Sequence, residues 1–200
     1  MPIEEALQRS VAGASISCQA VANPVPPWPG SLHPVKKSLE FQLIARLDAA
    51  ILALGEGGAG FAVLYLDLDG FKAVNDRHGH AAGDDVLRQA AGRLGDAAGP
   101  GSLLARLGGD EFAGILASSE DPREARRVDE RMIAAVRRPI ALPDGLVLQV
   151  GATIGVAFAP TDGTDPLTLL RKADGALDVG KHGGKRLVQI HIALAEAKAG

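Results

Sequence analysis

Four acidic residues stand where a chain usually places a turn. Asp67 and Asp69 close the apolar run "FAVLYLDLD", and Asp110 and Glu111 follow the paired glycines of "LLARLGGDEFAGIL". Residues two apart on a strand face the same side of a sheet, so Asp67 and Asp69 are candidates to point together, and the turn after Asp69 leaves them near a sheet edge. If the glycine hairpin pairs beside that strand, three or four carboxylates converge. Carboxylates at close range repel and resist ionising together, so convergence implies a compensating cation. Oxygen-only donors select a hard ion such as Mg²⁺ or Mn²⁺. A carboxylate-held metal pair suits phosphoryl or nucleotidyl transfer. The plainer reading is that Asp69 caps the next helix, Gly108 and Gly109 make a hairpin turn, and the acids are solvated. Spacing alone leaves both open.

The elements that must position these groups follow from periodicity. Residues 1–34, with "VANPVPPWPG", carry small residues and clustered prolines without a sustained period, and read as a mobile leader. A domain is expected over 35–192, followed by a tail, 193–200. "KKSLEFQLIARLDAAILAL" has helical spacing, and "FAVLYLDLD" is a buried strand. "FKAVNDRHGHAAGDDVLRQAAGRLGDA" predicts a helix broken near Gly79. "SLLARL" and "EFAGILA" predict two strands joined by the glycines. Asp121-Pro122 and Asp165-Pro166 open two further helices, as an N-cap followed by proline at the first position does. "LVLQVGATIGVAFAP" holds one or two strands, and "KRLVQIHIA" a last one. Helices alternate with strands, but the central pair is a hairpin. The fold class is therefore α/β (α+β), with a mixed, largely antiparallel sheet flanked by helices.

Composition excludes several functions. The 200-residue chain is 46% hydrophobic and 22% charged, with a net charge of −3 and a pI near 5.9. That balance gives no general attraction to nucleic acid or anionic membrane. "GLVLQVGATIGVAFAP" is too short and glycine-broken to span a bilayer, and "MPIEEALQRS" lacks the basic start and apolar core of a secretory signal. One cysteine, Cys18, allows no disulfide within the chain and fits a reducing, cytoplasmic setting. "GEGGAG" satisfies G-x-G-x-x-G, yet it follows a helix and opens a strand, the reverse of a dinucleotide site. "GALDVGKH" misses the P-loop hydroxyl at His182, and "DLDGFKAVND" lacks the calcium-loop glycine.

"RLGGDEF" (Arg106–Phe112), "DLDGFKAVNDRHGHAAGDDVL", "TIGVAFAP" and "RKADGALDVGKHGGK" stand in an order and spacing that resembles the GGDEF family of diguanylate cyclases, which join two GTP into cyclic di-GMP. The resemblance covers about Phe61 to Val188. It implies a ferredoxin-like, polymerase-palm-like nucleotidyl cyclase fold, a Mg²⁺ or Mn²⁺ cofactor, GTP as substrate and a homodimer for activity. It implies Asp67, the Leu68 carbonyl and Asp110 as metal ligands, and Glu111 in metal or proton handling. Asn75 and Asp84 match the pair that hydrogen-bonds guanine, whose N1–H and exocyclic amine suit a carboxylate. The backbone of Gly70, Phe71 and Lys72 would approach the terminal phosphates, with Lys181 and Lys185 adding positive charge. Gly108 and Gly109 would let the nucleotide lie against bare backbone. His78 and His80 are expected to be exposed or structural, because a magnesium site prefers oxygen.

The chain also departs from the family pattern. "WPGSLHPVKK" keeps only the basic pair, Lys36 and Lys37, of the usual opening run. Asp178 stands for a tyrosine and Gly180 for an alanine, and Asp178 is placed to pair with Lys181. Lys185 replaces an arginine, keeping the charge but losing the fork. Gly99 and Ser102 occupy the two positions of the family's inhibitory R-x-x-D, so product inhibition through that site is not expected. The intact "GGDEF" favours an active enzyme. The alternative is a catalytically silent domain that binds GTP or a protein, and regulation by a partner protein fits either.

Overall fold

The computed structural model describes the backbone of residues 33–116, 121–182 and 191–192, with side chains for 42–116 and 121–182. In chain order the elements are helix α1 (His33–Gly55), strand β1 (Phe61–Asp67), helix α2 (Phe71–Ala98), strands β2 (Leu103–Gly108) and β3 (Glu111–Leu116) and helix α3 (Pro122–Val136). Then come the short strands β4 (Ile140–Ala141) and β5 (Val147–Leu148), strand β6 (Thr153–Ala159), helix α4 (Pro166–His182) and strand β7 (His191–Ile192). The main sheet is ordered β2-β3-β1-β6-β7. It is antiparallel except between β6 and β7. This is the mixed, largely antiparallel sheet that the hairpin required.

β1 reads as an unbroken apolar run because both of its faces are covered. Leu64 and Leu66 join Val86 and Leu94 of α2 and Val128 and Met132 of α3 in one core. Val63 and Tyr65 join Leu43 and Leu47 of α1 and Leu169 and Leu177 of α4 in the other. Each such side chain contributes about 1.5–3 kcal/mol when fully buried. Strand alternation continues this second face to Asp67, so its carboxylate comes up on the side of α1 and α4.

The expected helix starts are present. Asp121 caps α3, accepting from the Arg123 amide at 2.8 Å, and Pro122 holds the first turn. Asp165 accepts from the Thr168 amide at 2.8 Å at the start of α4. The first helix begins at His33, ahead of the expected Lys36 and inside the span read as leader. Pro34 then falls in its first turn, where a missing N–H costs little. The remainder of the leader, Lys185 and the tail lie outside the described residues.

One buried group is out of place electrostatically. Asp129 lies on the inner stripe of α3 beside Val128, Met132 and Ile133, and is fully buried. Neither of its carboxylate oxygens has a hydrogen-bond partner among the described residues. Burial, aided by the charge of Glu130, pushes its pKa up to about 8. The folded protein thus keeps a proton that the unfolded chain releases near pH 4, so stability falls as pH rises through that window. Asp129→Asn should flatten this slope and add on the order of 1–3 kcal/mol at about pH 8, measured by urea unfolding at two pH values. Equal pH slopes in the two proteins would contradict the assignment.

Candidate active site

The site forms where the end of β1 meets the tip of the β2–β3 hairpin. Register makes Asp67 the direct cross-strand partner of Glu111 on one side and of Thr153 on the other. The Leu68 amide donates to the Asp110 carbonyl at 3.1 Å, tying the turn after β1 to the hairpin tip. On the opposite edge, Asp69 and Gly151 exchange two backbone hydrogen bonds, each 3.0 Å. The turn is therefore held from both flanks. Gly109 supplies the left-handed residue of the tip, with φ of 52°.

Like charges opposite one another on adjacent strands are costly, and the site carries that cost. Burial, followed by the charge of Asp67, holds the Asp110 carboxyl above its ordinary range. Burial and then Asp67 and Asp110 do the same to Glu111. A cation answers from α4, where Lys181 Nζ bonds Asp67 Oδ2 at 2.9 Å. Burial alone would lower the Lys181 pKa, but the hydrogen bond and charge of Asp67, with Asp178 and Glu111 beyond, raise it. Asp174, also on α4, is pushed up by burial and by Asp178.

Asp69 does not cap α2, and it bonds instead to the side chain of Thr153, the cross-strand partner of Asp67. Both its carboxylate oxygens accept from Thr153 Oγ1, at 3.1 and 3.0 Å, while the N-cap of α2 is Gly70 with no side-chain bond. The expected pairing of Lys181 with Asp178 is likewise replaced by the pairing with Asp67, and Asp178 acts on the lysine through its charge alone.

Gly70 has φ of 85°, a backbone that favours glycine, and it turns the chain directly into α2. The start of α2 has no side-chain cap and its Phe71 amide makes only a long 3.4 Å bond to the Leu68 carbonyl, a helix start that suits an anion. The Phe71 ring is buried, whereas Lys72 is exposed. The break at Gly79 (φ 81°, ψ 167°) folds the first part of α2 back along the second. Asn75 is thereby laid over Gly83, where an added Cβ would sit 1.9 Å from Asn75 Oδ1. Asn75 thus reaches Gly83, eight positions along the chain and next in sequence to exposed Asp84, an approach that no straight helix would allow. His78 and His80 are exposed.

Arg106 was not singled out by the sequence reading, although it immediately precedes the site's leucine–glycine turn. Its Nε donates to the Gly109 carbonyl at 2.9 Å, bracing the hairpin. Burial lowers its pKa, while the charges of Asp84 and Asp110 pull it back up. At the other end of β2, Gly99 and Ser102 close their own turn. The Ser102 amide donates to the Gly99 carbonyl at 3.4 Å, and its hydroxyl donates to Ala98 at 3.1 Å.

All donors at the junction are oxygen. Asp67 and Asp110 give carboxylates, and the Leu68 carbonyl receives only a long 3.4 Å bond from Phe71. That set fits Mg²⁺ or Mn²⁺, which take one or two carboxylates and fill the remaining positions with water and phosphate oxygens. Among the described residues no group of three or more acidic, histidine or cysteine side chains is placed to hold a metal ion by itself.

Comparison with known proteins agrees with the geometry. The family model described as "Diguanylate cyclase, GGDEF domain" matches residues 41–186. The diguanylate cyclase TpbB of Pseudomonas aeruginosa is 40% identical over 149 residues, covering 73% of this chain and 34% of that protein. A structure comprising only its GGDEF domain aligns with a TM-score of 0.70 at 39% identity, covering 74% of this chain and 86% of that one. The GGDEF domain of DgcB from Caulobacter crescentus, solved with c-di-GMP, aligns at 0.67 and 30% identity, covering 74% and 86%. The diguanylate cyclase SiaD of P. aeruginosa, solved with its activator SiaC, aligns at 0.66 and 30%, covering 72% and 54%. The chain spans about a third of the length of the TpbB relative. In its palm-like fold, its motifs and its similarity to these proteins, the chain belongs to the GGDEF-domain family of the diguanylate cyclases.

Proposed function

We propose that this chain is a metal-dependent diguanylate cyclase that condenses two GTP into cyclic di-GMP and two pyrophosphates where two copies meet. The observation that carries the reading is the junction of Asp67, Leu68, Asp110 and Glu111 beside an uncapped helix start. In this reading a nucleoside triphosphate lies across it. Asn75 and Asp84 take the guanine, and the amides of Gly70, Phe71 and Lys72 take the terminal phosphates. Gly108 and Gly109 leave the hairpin backbone bare, and Lys181 and Lys185 supply charge at the phosphate end. Asp67, the Leu68 carbonyl and Asp110 would hold Mg²⁺ or Mn²⁺, which would offset the charge gathering on the transferred phosphoryl group.

In the reaction, the 3′-oxygen of one GTP forms a bond to the α-phosphorus of the other. The bond from that phosphorus to the β-phosphate bridging oxygen breaks, and pyrophosphate leaves. In this reading Glu111 receives the hydroxyl proton. One copy binds only half of the reactants, so the face bearing the hairpin must meet its counterpart in a homodimer. Protein concentration then controls the rate. The activator-bound SiaD relative supports control by a partner protein. Among the described residues no helix is long and apolar enough to cross a membrane.

Guanine recognition is tested by Asp84→Ala. Losing a charge-assisted pair should weaken GTP binding by roughly 10- to 100-fold while leaving weak ATP binding unchanged, as read by calorimetric titration. An equal loss for both nucleotides would remove Asp84 from the base pocket.

A further inference from the structure

The metal-binding reading leaves one contact unexplained. Lys181, assigned by resemblance to substrate phosphate, is engaged with Asp67, assigned to the metal, through a 2.9 Å bond to Oδ2. Its ammonium is about one-third exposed, and the Asp67 carboxylate less so. Glu111, Asp110 and Asp174 all feel the lysine charge as well. A carboxylate lone pair occupied by an ammonium is not available to a cation that requires close oxygen donors. Two positive groups on one carboxylate also repel each other. Lysine and divalent cation therefore compete for this carboxylate.

We infer that Lys181 is the resident counter-ion of the carboxylate junction, displaced from Asp67 by the divalent cation and thereby released to the substrate triphosphate. This rests on the cyclase reading above and specifies how its site is loaded. Without metal, the lysine offsets the repulsion among Asp67, Asp110 and Glu111 and keeps the junction assembled. Its flexible four-carbon stem lets the ammonium move without moving α4. Asp178, one turn back on the same helix, already attracts it and offers an intermediate resting place. Once freed, the ammonium reinforces phosphate binding. Metal and nucleotide then favour each other through this side chain, and the coupling is reciprocal.

The test measures Mn²⁺ binding to the nucleotide-free full chain by electron paramagnetic resonance. The proteins are the wild type, Lys181→Met, Lys181→Gln and Asp67→Asn, each checked for folding by circular dichroism. Removing the competing ammonium should tighten Mn²⁺ binding by on the order of tenfold in both lysine variants, while a Mg²⁺-loaded non-hydrolysable GTP analogue binds several-fold more weakly. The two opposed shifts are the signature of exchange. If the lysine variants bind Mn²⁺ no tighter than wild type while Asp67→Asn loses it, the exchange is overturned and the metal reading stands. If neither the wild type nor the lysine variants bind Mn²⁺, with or without the analogue, the metal reading falls and the exchange falls with it.

Discussion

Asp110→Asn should reduce cyclic di-GMP formation by on the order of 1,000-fold or more and, in the same protein without metal, raise the melting temperature. The two effects share one cause. Asp110 is held half-buried within reach of Asp67, and burial together with that neighbour raises its pKa. The fold therefore disfavours the ionised form. Stability is lost as pH rises from the ordinary carboxylate range through the raised pKa, and the neutral amide escapes that loss. The amide also lacks the charge to hold a divalent cation or to help neutralise a transferring phosphoryl group, and removing one preorganised electrostatic group at a reacting centre is costly in rate. Product chromatography and thermal unfolding in chelator read the two halves. Unchanged turnover would remove Asp110 from the reaction. A lower melting temperature would show that the carboxylate stabilises the junction instead of straining it.

Gly155→Ala should cost about 2–3 kcal/mol of stability and weaken catalysis from a distance. On β6, Gly155 faces α4 so closely that an added Cβ would stand 2.1 Å from the Ala173 carbonyl oxygen and 2.3 Å from the Leu177 amide nitrogen. Both are backbone atoms, and neither can rotate away. The helix must lift from the sheet, and overpacking of that kind typically costs about 1–3 kcal/mol. Lys181 rides on the same helix, so lifting α4 also stretches the 2.9 Å contact with Asp67. Gly175→Ala is the internal control. An added Cβ at that α4 position meets nothing within 4 Å. It should stabilise the protein by roughly 0.5–1 kcal/mol, the usual gain over glycine within a helix. Urea unfolding of both variants distinguishes close approach from a general intolerance of α4 to substitution. Equal ΔG for Gly155→Ala and wild type would contradict the packing argument.

Much of this was legible in local chemistry. An apolar run covered on both faces, a glycine hairpin and two Asp-Pro helix starts each follow short-range rules, and each element appears where those rules put it. The convergence of Asp67 with Asp110 and Glu111 was readable as a conditional, true if the hairpin lay beside β1, which it does. What escaped depends on where elements stop and how they cross. Asp69 bonds Thr153 across the sheet instead of capping α2, and Gly151 grips its turn. Asn75 approaches Gly83 through the Gly79 break, whose presence was legible but whose folded-back direction was not. Lys181 and Asp67 are 114 positions apart, and only the crossing of α4 over β1 and β6 brings them together. Arg106 gained its place only when the hairpin tip was closed by its bond to Gly109. Asp129 sits on the apolar stripe of α3 at helical spacing, a mismatch open to inspection along the chain.

The most direct test of the central claim is incubation of the purified chain with GTP and Mg²⁺, resolving products over a range of protein concentrations. The account predicts cyclic di-GMP and pyrophosphate in a 1:2 ratio, with specific activity rising with protein concentration and on the order of 1,000-fold less product from Asp110→Asn. GTP that binds and is recovered intact at every protein concentration would contradict it, leaving a domain that holds the nucleotide without joining it to a second.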